Sequence, residues 1–308
     1  MNLFTKFGFG VREQRSRLGI DISSFGIAQA GVRHQPGQRP RLVGCGFEAC
    51  EEPAELSSAL GRLKTQRFPV NSVINSACYQ LLLVEAPDVP EVELRAAVRW
   101  RIKDLIDFHI DDAVIDVFEI PEQSRGGQTR MMYAVAARND TVQQHVDLLT
   151  TRGYALSSID IPELCLRNLA AQLPEDKEGV ALLHLGADRG VLSITKNQLV
   201  YLTRHIDTGA LRSQDEASHE EFVESLLLEI RRSLDYFESH YDQKPVSTFY
   251  VTGLSDQQRN HLGIELSIPV KALKIADCID VDFELDPEME RHCLPAVGAA
   301  LRVEAVSL

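Results

Sequence analysis

Asp21 stands near the end of the first strand-like stretch in "LGIDISSFGIAQAGV" (residues 18–32), with Ser23, Ser24 and Gly26 in the turn that follows. A carboxylate beside a tight turn of small residues can hold a hard cation or its waters, and the backbone N–H groups of such a turn can cradle phosphate. A second stretch, "LLHLGADRGVLSITK" (residues 182–196), repeats the order of strand, small-residue turn and strand, and puts His184, Gly186 and Ala187 at the corresponding places. An imidazole is a poor substitute for a carboxylate that must organise Mg²⁺. A third strand-like run, "STFYVTGL", ends in Thr252 and Gly253. On residue type alone Asp21 can equally brace its own turn, and His184 can be a satisfied strand-end histidine, because no base-orienting pattern lies near it.

Other catalytic and metal signatures are missing from the sequence. The six cysteines, at positions 45, 50, 78, 165, 278 and 293, form no CxxC pair and read as packed thiols. There is no P-loop or GxSxG, and "SHEEF" is not HExxH. One further constellation is cationic. Arg95, Arg99 and Lys103 recur at i, i+4 and i+8, with Trp100, the only tryptophan, among them. Such a strip is either a solvated face or a contact surface for an acidic partner or anionic lipid, and Trp100 either anchors an interface or packs a helix onto a sheet.

These residues need elements to hold them. "RLGIDIS", "GIAQAGVR" and "RLVGCGFEAC" read as three strands, followed by a short helix at "ELSSALGRLK" and a strand-like run "NSVINSACYQLLLVEAP". From Val92 the period becomes helical, with Leu94, Val98, Ile102, Leu105 and Ile106 predicted to share one face. "DDAVIDVFEI" and "RMMYAVAAR" read as paired strands, Asp140 or Thr141 as the cap of a helix, and "ALSSIDIPELCLRNLAAQL" as strand then helix. After "PEDKEG" the three-strand pattern returns, which suggests an internal duplication facing itself across a cleft. A long helix follows, "SHEEFVESLLLEIRRSLDYFESHY", with Ser218 and Glu221 in a capping-box pattern, and "LPAVGAALR" reads as a small-residue helix suited to close packing.

The length of 308 residues suits two lobes, and the net charge of −13 argues against a nucleic-acid binder. No run approaches the roughly 20 apolar residues of a membrane span, and the basic, Phe-containing start lacks the pattern of a secretory signal.

Taken in order, "LGIDISSFGI", "VELRAAVRWRIKDLIDFHIDDAVIDVFEI", "LLLEIRRSLDYFES", "FYVTGL" and "PAVGAALR" resemble the actin-like ATPase superfamily, and within it the PilM family of type IV pilus assembly proteins. The resemblance covers nearly the whole chain and is greatest to the MshI-type branch associated with mannose-sensitive haemagglutinin pili. It implies an α/β, actin-like (ribonuclease H-like) fold of two lobes with duplicated mixed sheets. Residues 1–17 would be a lead-in, 18–173 the first lobe with a small inserted subdomain at about 81–153, and 174–308 the second lobe, whose C-terminal helix returns to the cleft.

Family members with intact sites hold ATP on two glycine-containing hairpins, with acidic residues positioning magnesium. Against that pattern Ser23 replaces a glycine, Ala28 a lysine and His184 the second carboxylate, while Leu254 and Ser255 are expected where adenosine would enter. The resemblance therefore implies a degenerate nucleotide site of Asp21, Ser23, Ser24, Gly26, His184, Gly186, Ala187, Thr252 and Gly253, with no catalytic residue, metal or cofactor. The alternative is an ATP-binding switch with weak or no hydrolysis, using ATP and Mg²⁺. The implied partner is the cytoplasmic N-terminal segment of a PilN-like single-span inner-membrane protein, with further pilus assembly proteins beyond it. Arg95, Arg99, Trp100 and Lys103 are the candidate contacts. The implied location is cytoplasmic and peripheral to the inner membrane, with no span of its own.

Overall fold

The computed structural model describes residues 16–50, 53–63, 68–121, 130–186, 189–207 and 219–302. Strands β1 (Ser16–Ser23), β2 (Gly26–Arg33) and β3 (Arg41–Ala49) form an antiparallel meander, followed by helix α1 (Pro53–Arg62) and β4 (Pro69–Val73), which runs parallel to β1. Cys50 falls just past β3 and is buried, while Cys45 within it is partly exposed.

The strand-like run from Asn71 to Pro87 is in fact two strands in different sheets. The Asn75 side chain accepts a hydrogen bond from the Ala77 N–H at 2.8 Å and caps a short 3₁₀ turn over Ser76–Cys78. That turn takes the chain out of the first sheet, as Asx residues do. Strand β5 (Tyr79–Glu85), helix α2 (Glu91–Ile102), β6 (Ala113–Glu119) and β7 (Met131–Arg138) then build a separate antiparallel sheet of order β5-β7-β6. Val98, Ile102 and Ile106 share its small core, but Leu105 is 56% exposed, because the helix ends at Ile102 and its face ends with it.

Helix α3 (Asn139–Thr150) starts one residue before the expected caps, and no side chain caps it; Asp140 Oδ1 instead accepts from the neighbouring Thr141 N–H. Strand β8 (Ala155–Asp160) completes the first sheet in the order β3-β2-β1-β4-β8, and helix α4 (Pro162–Ala170) follows. The second lobe repeats this plan. Strands β9 (Val180–Leu185), β10 (Gly190–Lys196) and β11 (Leu199–Ile206) form a meander. After helix α5 (His219–Tyr241), strand β12 (Phe249–Thr252) runs parallel to β9, and helix α6 (Asp256–Leu266) leads to β13 (Val270–Ala272). The sheet order is β11-β10-β9-β12-β13, the same plan as the first. The expected Ser218 cap of α5 lies outside the described residues.

A short helix, α7 (Ile275–Cys278), precedes the last, α8 (Pro287–Ala300), which lies against the first sheet. Its small residues are needed for that approach. A Cβ at Gly19 in β1 would come within 1.7 Å of the Ala296 carbonyl oxygen, and one at Gly298 within 2.4 Å of that of Cys165 in α4. Ala28, Val32 and Leu42 of the first sheet, Leu166 and Leu169 of α4, Leu182 and Tyr250 of the second sheet, and Leu294 and Val297 of α8 belong to one continuous core. The lobes are thus joined through α4 and α8, and a cleft opens beside that junction.

Candidate functional site

Asp21 and His184 hold equivalent register positions in the two sheets. Each lies on the inner strand of its meander, Asp21 opposite Val73 of parallel β4 and His184 opposite Thr252 of parallel β12. Both line one cavity of about 850 Å³, together with Ser23, Ser24 and Gly186. Gly26, Thr252 and Gly253 do not line it. A Cβ on Gly26 would lie 2.2 Å from the Glu48 carbonyl oxygen, so its glycine is explained by the neighbouring strand β3. Thr252 holds His184, its Oγ1 2.9 Å from the imidazole Nδ1. Gly253 has a φ of +82° and forms the turn after β12. Ala187 lies outside the described residues.

The expectation that Leu254 and Ser255 project into the cleft is corrected. Leu254 is buried among Leu262 and Phe222 in the second lobe, and Ser255 caps α6 by accepting from the Gln258 N–H while Gln258 reaches back to the Ser255 N–H. Ser23 is also occupied locally, donating to the Gly26 carbonyl at 3.1 Å and accepting from the Phe25 N–H at 3.3 Å.

Burial sets the charges of the cleft. Asp21 has no hydrogen bond or ion pair among the described residues, and desolvation pushes its carboxyl from 3.8 up to about 7. His184 is pushed down to about 4 by burial first and then by Arg291 and His292. His145 falls to about 4 by burial. Its Nε2 lies 2.8 Å from Ser72 Oγ, which itself donates to the Ile20 carbonyl, so His145 donates from Nε2. His292, stacked on Phe47 at 3.9 Å, is also lowered to about 4 by burial and by Arg291. At neutral pH the three imidazoles are uncharged, and among the described residues the fixed charges lining the cavity are the cations Arg189 and Arg291.

Sequence reasoning missed His145, Arg189, Arg291 and His292. The signal for the last pair was its place directly before "CLPAVGAALR": a polar pair just ahead of the small-residue run on which a helix packs closely sits where that helix meets the cleft. The second implied site changes as well. Arg99 donates to the Ala113 carbonyl at 3.2 Å and to that of Ile110, and Arg95 pairs with Asp116 at 3.0 Å, so the two arginines hold α2 to its own subdomain. Lys103 lies 4.0 Å from Asp104. Trp100 is 72% exposed, which rules out a helix-to-sheet packing role within the chain.

A family model described as "Type IV pilus assembly protein PilM" matches residues 64–219, just over half of the 308-residue chain. The chain belongs to the PilM family. Among solved structures, this PilM-family chain is similar to a chain of a PilM–PilN type IV pilus biogenesis complex, with a TM-score of 0.71 and 19% identity over 92% of this chain and 97% of that one. It is also similar to the cytoplasmic domain of EpsL, an inner-membrane component of the type II secretion system of Vibrio cholerae (TM-score 0.53, 12% identity, 94% of this chain and 97% of that one). A Bacteroides thetaiotaomicron protein with an actin-like ATPase fold and unknown function matches at a TM-score of 0.50, with 10% identity over 87% of this chain and 93% of that one. No curated protein matches. At these identities the likeness is one of fold, and the fold is actin-like.

Among the described residues the lining does not fit a magnesium nucleotide. Asp21 is the only carboxylate among the described residues lining the cavity, and no cluster of three or more His, Cys, Asp and Glu among the described residues could hold a metal ion. A hard cation needs oxygen ligands, directly or through water, and His184 offers none.

Proposed function

We propose that this PilM-family chain is a non-catalytic scaffold of a type IV pilus assembly platform, of the MshI type. It would stand on the cytoplasmic side and be held at the inner membrane by the N-terminal segment of a PilN-like single-span protein. The reading rests on family membership together with the fold shared with a PilM chain found in complex with PilN. No helix among the described residues is long and apolar enough to cross a membrane, so attachment through a partner suits the chain.

The surface that carries the reading is the outer side of α2. Val92 is 90% and Trp100 72% exposed, on the side opposite the buried Val98 and Ile102. An exposed tryptophan beside apolar surface is a strong anchor for a short segment that orders on binding. Because Arg95 and Arg99 are held within the subdomain, Trp100 is the contact of the four with most to contribute. In a titration with a peptide spanning the partner's cytoplasmic N-terminal segment, Trp100→Ala is expected to weaken binding by about tenfold or more. Affinity should be the same with and without ATP. Binding that requires ATP would instead support the switch reading, to which the size of the cleft lends weight. No binding at all would remove the scaffold reading.

A further inference from the structure

We propose that Cys45 and Cys293 form a site of reversible oxidation, at which hydrogen peroxide joins the edge strand β3 to helix α8 through a disulfide. All six cysteines are free in this structure, and these two, far apart in sequence, meet in one part of the core. Cys45 lies on β3, the outermost strand of the first sheet, and is partly exposed. Cys293 lies in α8 and is fully buried where that helix packs on β3. Its Sγ is 3.6 Å from the carbonyl oxygen of Gly46, the residue next to Cys45, and 3.8 Å from Met289 Sδ. Its S–H also donates to the Cys45 sulfur.

The two thiols differ as the members of an oxidisable pair must. The hydrogen bond from Cys293 holds the Cys45 thiol below its ordinary range, against burial and the charge of Glu290, whereas the same bond and then burial hold Cys293 well above it. Burial pushes Cys50, Cys78, Cys165 and Cys278 up, the last to about 12. Cys45 is therefore the one cysteine favoured as a thiolate, and it is the member of the pair that solvent reaches. Peroxide reacts with thiolate rather than thiol.

The Cys45 thiolate attacks one oxygen of the peroxide: an S–O bond forms, the O–O bond breaks and hydroxide leaves. The Cys293 sulfur then displaces hydroxide from this sulfenic acid, and the Cys293 proton leaves with it as water. Two electrons pass from the sulfur pair to the peroxide, and a thiol reductant returns them. Bond formation draws the sulfurs from contact to about 2.05 Å. β3 can supply that movement, because at Cys45 it is paired only with β2, on one side. The disulfide would tie the edge of the first sheet to a helix that joins the lobes, next to the stack of Phe47 and His292 on the cleft wall. This goes beyond the scaffold reading and does not depend on it.

The experiment treats the reduced full chain with a slight excess of hydrogen peroxide, stops the reaction with catalase, and alkylates the remaining thiols in denaturant before mass spectrometry. Expected are the loss of two of the six thiols, a cross-linked peptide pair carrying Cys45 and Cys293, and recovery of both thiols in dithiothreitol. In Cys293→Ala, Cys45 should stop at the sulfenic acid and be trapped by dimedone, and in Cys45→Ser thiol loss should slow by about tenfold or more. Should Cys293→Ala fail to fold, Cys45→Ser at the sheet edge carries the test. Oxidation should also slow backbone hydrogen exchange in β3 and leave β11 as it was. No thiol loss under conditions that oxidise glutathione, a disulfide through any other cysteine, Cys45 taken to the sulfinic acid with Cys293 still reduced, or unchanged exchange in β3 would each overturn the proposal.

Discussion

Acidification from pH 6.5 to 4.5 is expected to destabilise the protein by about 3–5 kcal/mol, through protons taken up only on unfolding. His145, His184 and His292 are held at about 4 in the folded chain against an ordinary 6.5. At pH 5 the unfolded chain therefore carries three protons on these rings that the folded chain does not. Asp21 acts in the opposite sense: raised from 3.8 to about 7, it is protonated at pH 5 in the folded chain and ionised in the unfolded one. The net uptake on unfolding is close to two protons, so stability rises with pH by at most about 2.7 kcal/mol per unit across this window. His292 is partly exposed, which brings the slope down. Above pH 6.5 the remaining uptake by the histidines and the ionisation of Asp21 come to offset each other, so stability levels off by about pH 7.5. Denaturant titrations at stepped pH should show stability rising to about pH 7 and staying level from there to pH 8. His145→Gln, which can still donate to Ser72, should flatten the acid limb by about half. Asp21→Asn should leave pH 4 unchanged and stabilise the protein at pH 8 by about 2 kcal/mol, a figure reduced because Asp21 borders an open cleft. A profile flat between pH 4.5 and 8 would refute this account of the cleft.

The sequence already showed the plan of the fold because that plan is written in local periodicity. Two meanders of apolar strands at matching order announced the duplicated sheets, and Asp21 and His184 hold the same register position when "GIDISS" is set beside "LLHLGA". The helical face from Leu94 to Ile102 was legible for the same reason. What escaped was set by tertiary contact. Whether Leu254 entered a cleft or a core depended on Leu262 of α6 and Phe222 of α5, and no spacing in "TGLS" encodes that. Arg291 and His292 reach the cleft because α8 returns to the first sheet, a contact across more than 250 residues that a sequence window does not contain. The basic strip of α2 failed differently. Its spacing was right, but Asp116 and the carbonyls of Ile110 and Ala113 consume the two arginines, and a periodicity argument cannot see acceptors on the following turn and strand.

Glu163→Ala is expected to cost about 3–5 kcal/mol, the larger part from groups left without partners. Glu163 is fully buried in the first turn of α4, where the helix dipole favours a carboxylate. Its Oε2 accepts from the Tyr79 hydroxyl at 2.6 Å, and its Oε1 lies 2.6 Å from His205 Nε2. The three residues come from three parts of the fold: Tyr79 begins β5 of the small sheet, Glu163 belongs to the first lobe, and His205 lies in β11 of the second. One carboxylate therefore ties all three together. Tyr79 shows the strength of the tie, since burial and the adjacent carboxylate hold its hydroxyl protonated well above the usual range. Truncation to alanine leaves the buried Tyr79 hydroxyl and the His205 ring without their acceptor and opens a void at the junction. Glu163→Gln keeps an acceptor for one of them and should cost about half as much, whereas Tyr79→Phe leaves Glu163 its bond to His205 and should cost only about 1–2 kcal/mol. The order Ala > Gln > Phe in denaturant midpoints checks the network, and equal losses in all three would mean that packing, not the carboxylate, holds this junction. Because the tie spans three modules, Glu163→Ala should also speed backbone hydrogen exchange in β5 and β11 together while β2 stays protected.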